Sequence, residues 1–239
     1  MNKSISILGG AVSLTQLDGA FHTGMDAVML AAACPAQSGS AVLDLGCGVG
    51  AAGLAVLNRL PEATLTGIDL QEDHVETARE NADANGMAGR VNFEVADVKT
   101  YENRSFDHVI CNPPYMPEGS YIQSPEASKD AALGLKDTAL EDWVACAFNC
   151  LRGRGSFTMI HRGDMVDKVV QAFGKRFGEI EIIPLWPKAG APAKRVIVRG
   201  IKHAKGVAIL HPGIVMHQED GEYTAGAASI LKGDKTLLL

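Results

Sequence analysis

The chain has 239 residues and a mass of 25.2 kDa, with 46% hydrophobic and 21% charged residues, 26 glycines and 10 prolines. A chain of this size buries about 70% of its unfolded surface, enough for one sizeable core without a disulfide or metal staple, and the composition excludes disordered, collagen-like and coiled-coil chains. The net charge of −6 hides an asymmetry: residues 1–151 hold 8 basic and 20 acidic side chains, 152–205 hold 12 and 4, and 206–239 hold 2 and 4.

A basic stretch on an acidic protein can mark a polyanion site, because local potential steers a ligand more than total charge does. The longest apolar run, Ala27 to Cys34, ends at Pro35 and is too short to cross a bilayer, so no membrane partner is expected. Gly9-Gly10 and Asp18 interrupt the modest apolar start, which argues against a signal peptide. The five cysteines (34, 47, 111, 146 and 150) form no CxxC pair, as expected of reduced thiols in a cytoplasmic protein. Without repeats or linkers, one domain over 1–239 is expected: an N-terminal cap segment (1–40) with one helix, a core (41–201) and a C-terminal extension (202–239).

In chain order, Thr23 and Asp26 suit a helix start leading into Ala27 to Cys34. Ala41 to Leu45 reads as a buried strand, Ala51 to Leu60 as a helix stopped by Pro61, and Thr64 to Leu70 as a strand. Glu72 to Asn85 is a polar-faced helix with Gly86 as its C-cap, followed by strands Val91 to Val95 and Phe106 to Cys111. A helix over Asp137 to Leu151, a strand over Gly155 to Ile160 and a helix over Asp164 to Phe173 come next. Strands Ile180 to Leu185 and Arg195 to Ile201, joined by a Pro/Gly loop, suit an antiparallel pair at one edge. Glu219 to Glu222 is a turn and Thr224 to Leu231 a short helix. Strands alternating with helices of this length predict an α/β fold with a seven-stranded, mostly parallel sheet, helices on both faces and an antiparallel edge strand.

Asp44-Leu45-Gly46-Cys47-Gly48-Val49-Gly50 runs from a strand into a glycine turn and a helix, where a backbone without side chains lets a ligand approach closely. Two cofactors compete for it. Gly48 to Gly53 satisfies G-x-G-x-x-G with Asp69 about 20 residues on, as for a dinucleotide. Asp44, inside the strand, suits instead a cofactor with an ammonium group, such as S-adenosylmethionine (AdoMet), and would repel a pyrophosphate. Asp69 can accept the hydroxyls of a ribose, and Asp97 follows the third strand at a spacing that suits an adenine amino group.

Asn112-Pro113-Pro114-Tyr115 follows the fourth strand. Its prolines lack N–H and stiffen the turn, and Pro113 pushes Asn112 away from helical dihedrals. An Asn side-chain oxygen plus the Pro113 carbonyl can accept both hydrogens of a planar amino group, while Tyr115 stacks on a ring for about 1–3 kcal/mol. The pattern points to methylation of an amino nitrogen.

These segments together resemble the motif series of class I AdoMet-dependent methyltransferases of the N-P-P-Y group, with a Rossmann-like fold. From about Thr15 to Leu231 the chain is similar to the bacterial tRNA1(Val) adenine-N6 methyltransferases, a family that modifies an adenine beside the anticodon. Gly24-Met25-Asp26-Ala27-Val28-Met29-Leu30 is similar to that family's opening helix, with Met25 in place of its usual Thr, and the resemblance implies that this segment covers the cofactor. The segments Leu185 to Val198 and Leu210 to Thr224 are similar to one branch of the family. The resemblance implies cofactor contacts from Asp44, Gly46, Cys47, Gly48 and Gly50, and from Asp69, Leu70, Asp97, Val98 and Asn112. It implies catalytic roles for Asn112, Pro113 and Tyr115, and substrate contacts from Pro114, Tyr115, Lys194 and Arg195.

The expected reaction converts AdoMet to S-adenosylhomocysteine without a metal, on a nucleic acid, with tRNA as the partner and no obligate protein partner. Lys188, Lys194, Arg195, Arg199, Lys202 and Lys205 are candidate phosphate contacts, and Tyr121 a candidate second stacking residue. No histidine pair shows metal-ligand spacing, and Cys146 with Cys150 suits a helix core. Four other functions use some of the same residues: a protein glutamine N5-methyltransferase of the release-factor type, a methyltransferase acting on a DNA adenine, an NAD-dependent oxidoreductase, and a non-catalytic RNA-binding protein.

Overall fold

In the computed structural model, which describes residues 3–17, 24–115 and 138–237, the chain opens with an antiparallel hairpin, β1 (Lys3–Ile7) and β2 (Val12–Gln16). The expected cap segment held only a helix. The hairpin arises because Ile5, Ile7, Val12 and Leu14 alternate with polar residues on either side of Gly9-Gly10, the period of a half-buried strand. Asn81 and Asn85 secure β2 like a third strand: Asn81 Oδ1 accepts Thr15 N–H at 2.7 Å and Asn85 Oδ1 accepts Ser13 N–H at 2.9 Å. Asn81 Nδ2 also donates to Val49 O at 2.9 Å.

Helix α1 (Met25–Ala33) has buried residues from Ala27 to Ala33, so it lies sandwiched rather than on the surface. Remote donors satisfy carbonyls at its C-terminal end, Arg59 Nη2 on Cys34 O at 2.8 Å and Arg199 Nη1 on Ala33 O at 2.9 Å. The core then runs β3 (Ala41–Leu45), α2 (Ala51–Arg59), β4 (Thr64–Asp69), α3 (Glu72–Ala84), β5 (Val91–Val95), β6 (Phe106–Cys111), α4 (Leu140–Cys150), β7 (Leu151–Arg162), α5 (Val166–Phe173), β8 (Phe177–Trp186) and β9 (Arg195–Lys202). Two short strands, β10 (Ile209–Leu210) and β11 (Ile214–Val215), precede α6 (Ala225–Leu231). Asp137 lies outside the described residues, and α4 starts later than expected, with Asp142 Oδ2 accepting Ala139 N–H at 2.9 Å.

The sheet order is β10-β8-β9-β7-β6-β3-β4-β5, with β11 also on β8. Pairings are parallel except that β9 runs antiparallel to both β7 and β8. The seven expected strands are all present, with β7 and β8 longer than their apolar stretches. The end of the sheet differs: β10 and β11 pair with β8 in parallel, so β8 is not a bare edge. One apolar cluster packs α1, α2, α3 and α6 on one face, and a second packs α4 and α5 on the other.

Candidate active site

Parallel pairing brings the carboxyl ends of β3, β4, β5 and β6 to one edge. The chain runs outward from β3 to β5 and then returns to β6 on the other side of β3, and ligands bind in the crevice that such a reversal opens. A cavity of about 480 Å³ lies there, within the range of small-molecule sites. Asp44, Gly46, Cys47, Gly48, Asp69, Leu70, Asp97, Val98, Asn112, Pro113, Pro114, Tyr115 and Arg195 all line it. Gly50 and Lys194 are not among the lining residues. Gly50 is the N-cap of α2, and Lys194 is exposed.

The glycine turn follows from steric demand. Gly46 has φ +68, and a Cβ there would lie 2.9 Å from the buried ring of Trp143. Gly48 has φ +53 and faces open space on the cavity side. Asp44, on β3 between Ile110 and Gly67, is 2% exposed. Its Oδ2 accepts Gly53 N–H at 3.0 Å, and among the described residues no cation pairs with it. Burial pushes its carboxyl up to about 7, aided by the nearby charge of Asp69 and opposed by the Gly53 bond.

Asp69 ends β4, its Oδ2 accepting Gly48 N–H at 2.9 Å and its Oδ1 accepting Gln71 N–H at 3.0 Å. The carboxylate thus joins the glycine turn to Gln71, the N-cap of α3, which no side chain caps. His74 Nδ1 lies 3.6 Å from Asp69 Oδ1, and hydrogen bonding to Asp69 raises the imidazole above its ordinary value. Asp97 Oδ1 accepts Lys99 N–H at 2.9 Å. Burial raises the thiols of Cys47 and Cys111 well above their usual range, so both stay protonated and are poor nucleophiles.

On the opposite wall the Tyr115 hydroxyl lies 2.7 Å from Asn112 Oδ1 and 3.1 Å from Asp26 Oδ2. Arg195 Nε donates to Asp26 Oδ2 at 2.8 Å, and its guanidinium lies 4.8 Å from the centre of the Tyr115 ring. His161 meets that ring edge-on at 5.1 Å, and its buried Nδ1 has no partner among the described residues. Gln71, His74, Thr138 and Trp143 also line the cavity, and none of them belongs to a motif that marks it as a site residue. Helix periodicity puts Trp143 on the buried face of α4, but only the close approach of Gly46 gives it a place in the site.

The basic stretch divides. Arg199 is 6% exposed, paired with Glu181 at 2.7 Å, and Lys202 is 8% exposed, donating to Phe148 O and Leu151 O at 2.6 and 2.7 Å. Neither is a surface phosphate contact as anticipated, because β9 has strands on both sides and its polar residues are covered. Lys194 and Lys205 are exposed, and Lys188 donates to Glu219 O at 2.8 Å. Tyr121 lies outside the described residues. Among the described residues no helix is long and apolar enough to cross a membrane, and no group of three metal-ligating side chains forms a site.

The fold and the glycine-turn cavity are those of an AdoMet-dependent methyltransferase. The Atu636 protein of Agrobacterium tumefaciens, a predicted O-methyltransferase of known structure, is similar with a TM-score of 0.75 and 27% identity over 88% of this chain and 97% of its own. The chain belongs to the methyltransferase small domain family, whose model matches residues 11–184. Among its relatives, a tRNA1(Val) (adenine(37)-N6)-methyltransferase of Shewanella halifaxensis is 34% identical over 73% of this chain and 72% of its own length. One of the same description from Aeromonas hydrophila is 26% identical over 86% of each chain. A release factor glutamine methyltransferase of Chlorobaculum tepidum is 29% identical, matching 59% of this chain and 52% of its own. Family membership replaces the oxidoreductase and non-catalytic alternatives.

The residues present fit AdoMet. The buried Asp44 carboxyl has no cation partner among the described residues and would pair with the cofactor's ammonium, and the open space over Gly48 would admit a ligand. Asp69 is within reach of the same cavity as an acceptor for ribose hydroxyls.

Proposed function

We propose that the enzyme methylates the exocyclic amino group of an adenine in tRNA, in the anticodon-loop region. The observation that carries this is Asn112-Pro113-Pro114-Tyr115, which lines the cavity that also holds Asp44. The activity for which the Shewanella and Aeromonas relatives are named supports it. Asp44, Gly46, Gly48, Asp69, Leu70, Asp97 and Val98 hold the cofactor. Asn112 Oδ1 and the Pro113 carbonyl accept the two amine hydrogens, which draws the nitrogen lone pair out of conjugation. Tyr115 and Pro114 hold the ring.

When bound, AdoMet supplies a sulfonium methyl group, and its carbon–sulfur bond breaks as the nitrogen–carbon bond forms. Alignment by these residues replaces general-base catalysis, and well-oriented reactants save about 7–11 kcal/mol of barrier. The alkylated nitrogen then releases its proton to water, so the chain needs neither a metal nor a strong base. Leaving a loop stack costs the base a few kcal/mol, less than leaving a duplex. Lys194, with Lys188 and Lys205, supplies phosphate contacts.

The test is transfer of labelled methyl from AdoMet to total tRNA lacking the modification, followed by nucleoside analysis. N6-methyladenosine is expected, with turnover lost in Asn112→Ala while AdoMet affinity stays within a few-fold. Label in protein glutamine, or an Asn112→Ala enzyme of normal rate, would overturn the proposal.

A further inference from the structure

The acceptor wall of the cavity is built by three elements distant in sequence. Asp26 comes from the first turn of α1, Asn112 and Tyr115 from the segment after β6, and Arg195 from the start of β9. The Tyr115 hydroxyl has one proton and two acceptors within reach, Asn112 Oδ1 at 2.7 Å and Asp26 Oδ2 at 3.1 Å. A bond to an ionised acceptor is roughly twice as strong as a neutral one. Arg195 Nε donates to Asp26 Oδ2 at 2.8 Å and holds the carboxylate in place. Burial, reinforced by the Asp26 charge, holds the phenol of Tyr115 well above its ordinary value, so its proton stays within this group.

When the phenol donates to Asp26, its oxygen faces Asn112 with lone pairs only. The Asn112 amide then has to turn its N–H to the phenol in place of the oxygen that lies there at 2.7 Å, which leaves that oxygen facing away. The donors then run from Asn112 to Tyr115 to Asp26, into which Arg195 Nε also donates, and bonds aligned in this way reinforce each other. If the phenol donated to Asn112 instead, the amide oxygen would already be engaged when an amine arrived.

We propose that Asp26, braced by Arg195, is a positioning residue that accepts the hydrogen bond of the Tyr115 hydroxyl and so frees the Asn112 oxygen to receive a planar amine. This rests on the amino-acceptor reading above and extends it, since an acceptor with two N–H donors then suits the site better than a lone hydroxyl.

The test is a double-mutant cycle on unmodified tRNA with wild type, Asp26→Asn, Tyr115→Phe and the double variant. Asp26→Asn is expected to lower kcat about tenfold or more while AdoMet affinity and RNA KM move less than about two-fold. In the Tyr115→Phe background the same change should alter kcat less than about two-fold, because Asp26 acts only through the phenol. Additive losses, or near-normal kcat in Asp26→Asn, would overturn the proposal. Asp26→Glu, which keeps the carboxylate, should retain more activity than Asp26→Asn, and the reverse order counts against it. A second arm needs no acceptor: phenolate absorbance, read against Tyr115→Phe, should appear at lower pH in Asp26→Asn, and an unchanged titration sinks the proposal. Absence of methyl transfer to RNA by the wild type defeats the acceptor reading alone, and the absorbance arm still decides Asp26.

Discussion

Asp44 gives the cofactor site a pH dependence of definite sign. Its carboxyl ionises at 3.8 in an unstructured chain and at about 7 when buried here, a difference of roughly 4 kcal/mol against the ionised folded form. In the free protein this cost is absent below pH 3.8, grows as pH rises, and is complete above about 7. A bound ammonium group reverses the preference, so AdoMet binds the ionised form and binding at low pH must expel the Asp44 proton. Between pH 7 and pH 5.5 the ionised fraction falls about fifteenfold, which weakens affinity by ~1.6 kcal/mol. Calorimetric titration across that range, in buffers of different ionisation heat, reads both the affinity and the protons released. Near pH 5.5 about one proton should leave per AdoMet bound. His74, raised by Asp69, titrates nearby, and any slope surviving in Asp44→Asn belongs to it. Asp44→Asn should bind AdoMet weakly at pH 7, lose most of the pH slope, and be more stable than wild type without ligand near pH 8. An affinity flat across the range, or a slope undiminished in the variant, would refute the ammonium pairing.

Gly46→Ala forces a left-handed residue and a clash with Trp143, so a urea melt should show about 2–5 kcal/mol lost. Gly48→Ala meets open space, should lose only about 1–2 kcal/mol, and should instead weaken AdoMet binding at least about tenfold. Lys194→Glu should weaken RNA binding and lower its salt slope by about 1 or more, whereas Arg199→Ala should leave that slope unchanged and cost about 1–3 kcal/mol of stability by removing the donor to Ala33 O and one of the two partners of Glu181, which keeps His211. Thr224→Ala removes the side-chain acceptor for Ala227 N–H at the start of α6 and should cost about 1 kcal/mol, measured as a shift in thermal midpoint.

The core was legible because β3, β4 and β6 are apolar runs closed by Gly46, Asp69 and Asn112, and because parallel pairing collects those ends at one edge. Asp69 and Asn112 could be named from the chain for that reason, and Asp44 because a carboxylate interrupts the apolar run of β3. What escaped depends on long-range partners. Arg195 reads as a surface cation until α1 brings Asp26 to it across 169 positions. Arg199 and Lys202 belong to a basic run, yet β8 and β7 flank them and convert charge into internal bonding. Strands β10 and β11 have two residues each, too few to show any period. The hairpin did carry a period-two signal, hidden because its apolar residues are few and Gly9-Gly10 resembles a mere interruption.

Asn81 ties the N-terminal hairpin to the glycine turn. One side chain bonds both Thr15 of the hairpin and the carbonyl of Val49 in the glycine turn. The first strands therefore act as a brace whose opening unfastens the nucleotide cradle in the same event. Amide exchange at Gly48 and Gly50 should keep pace with exchange at Thr15, and truncation before residue 17 should loosen a turn that lies 30 residues downstream.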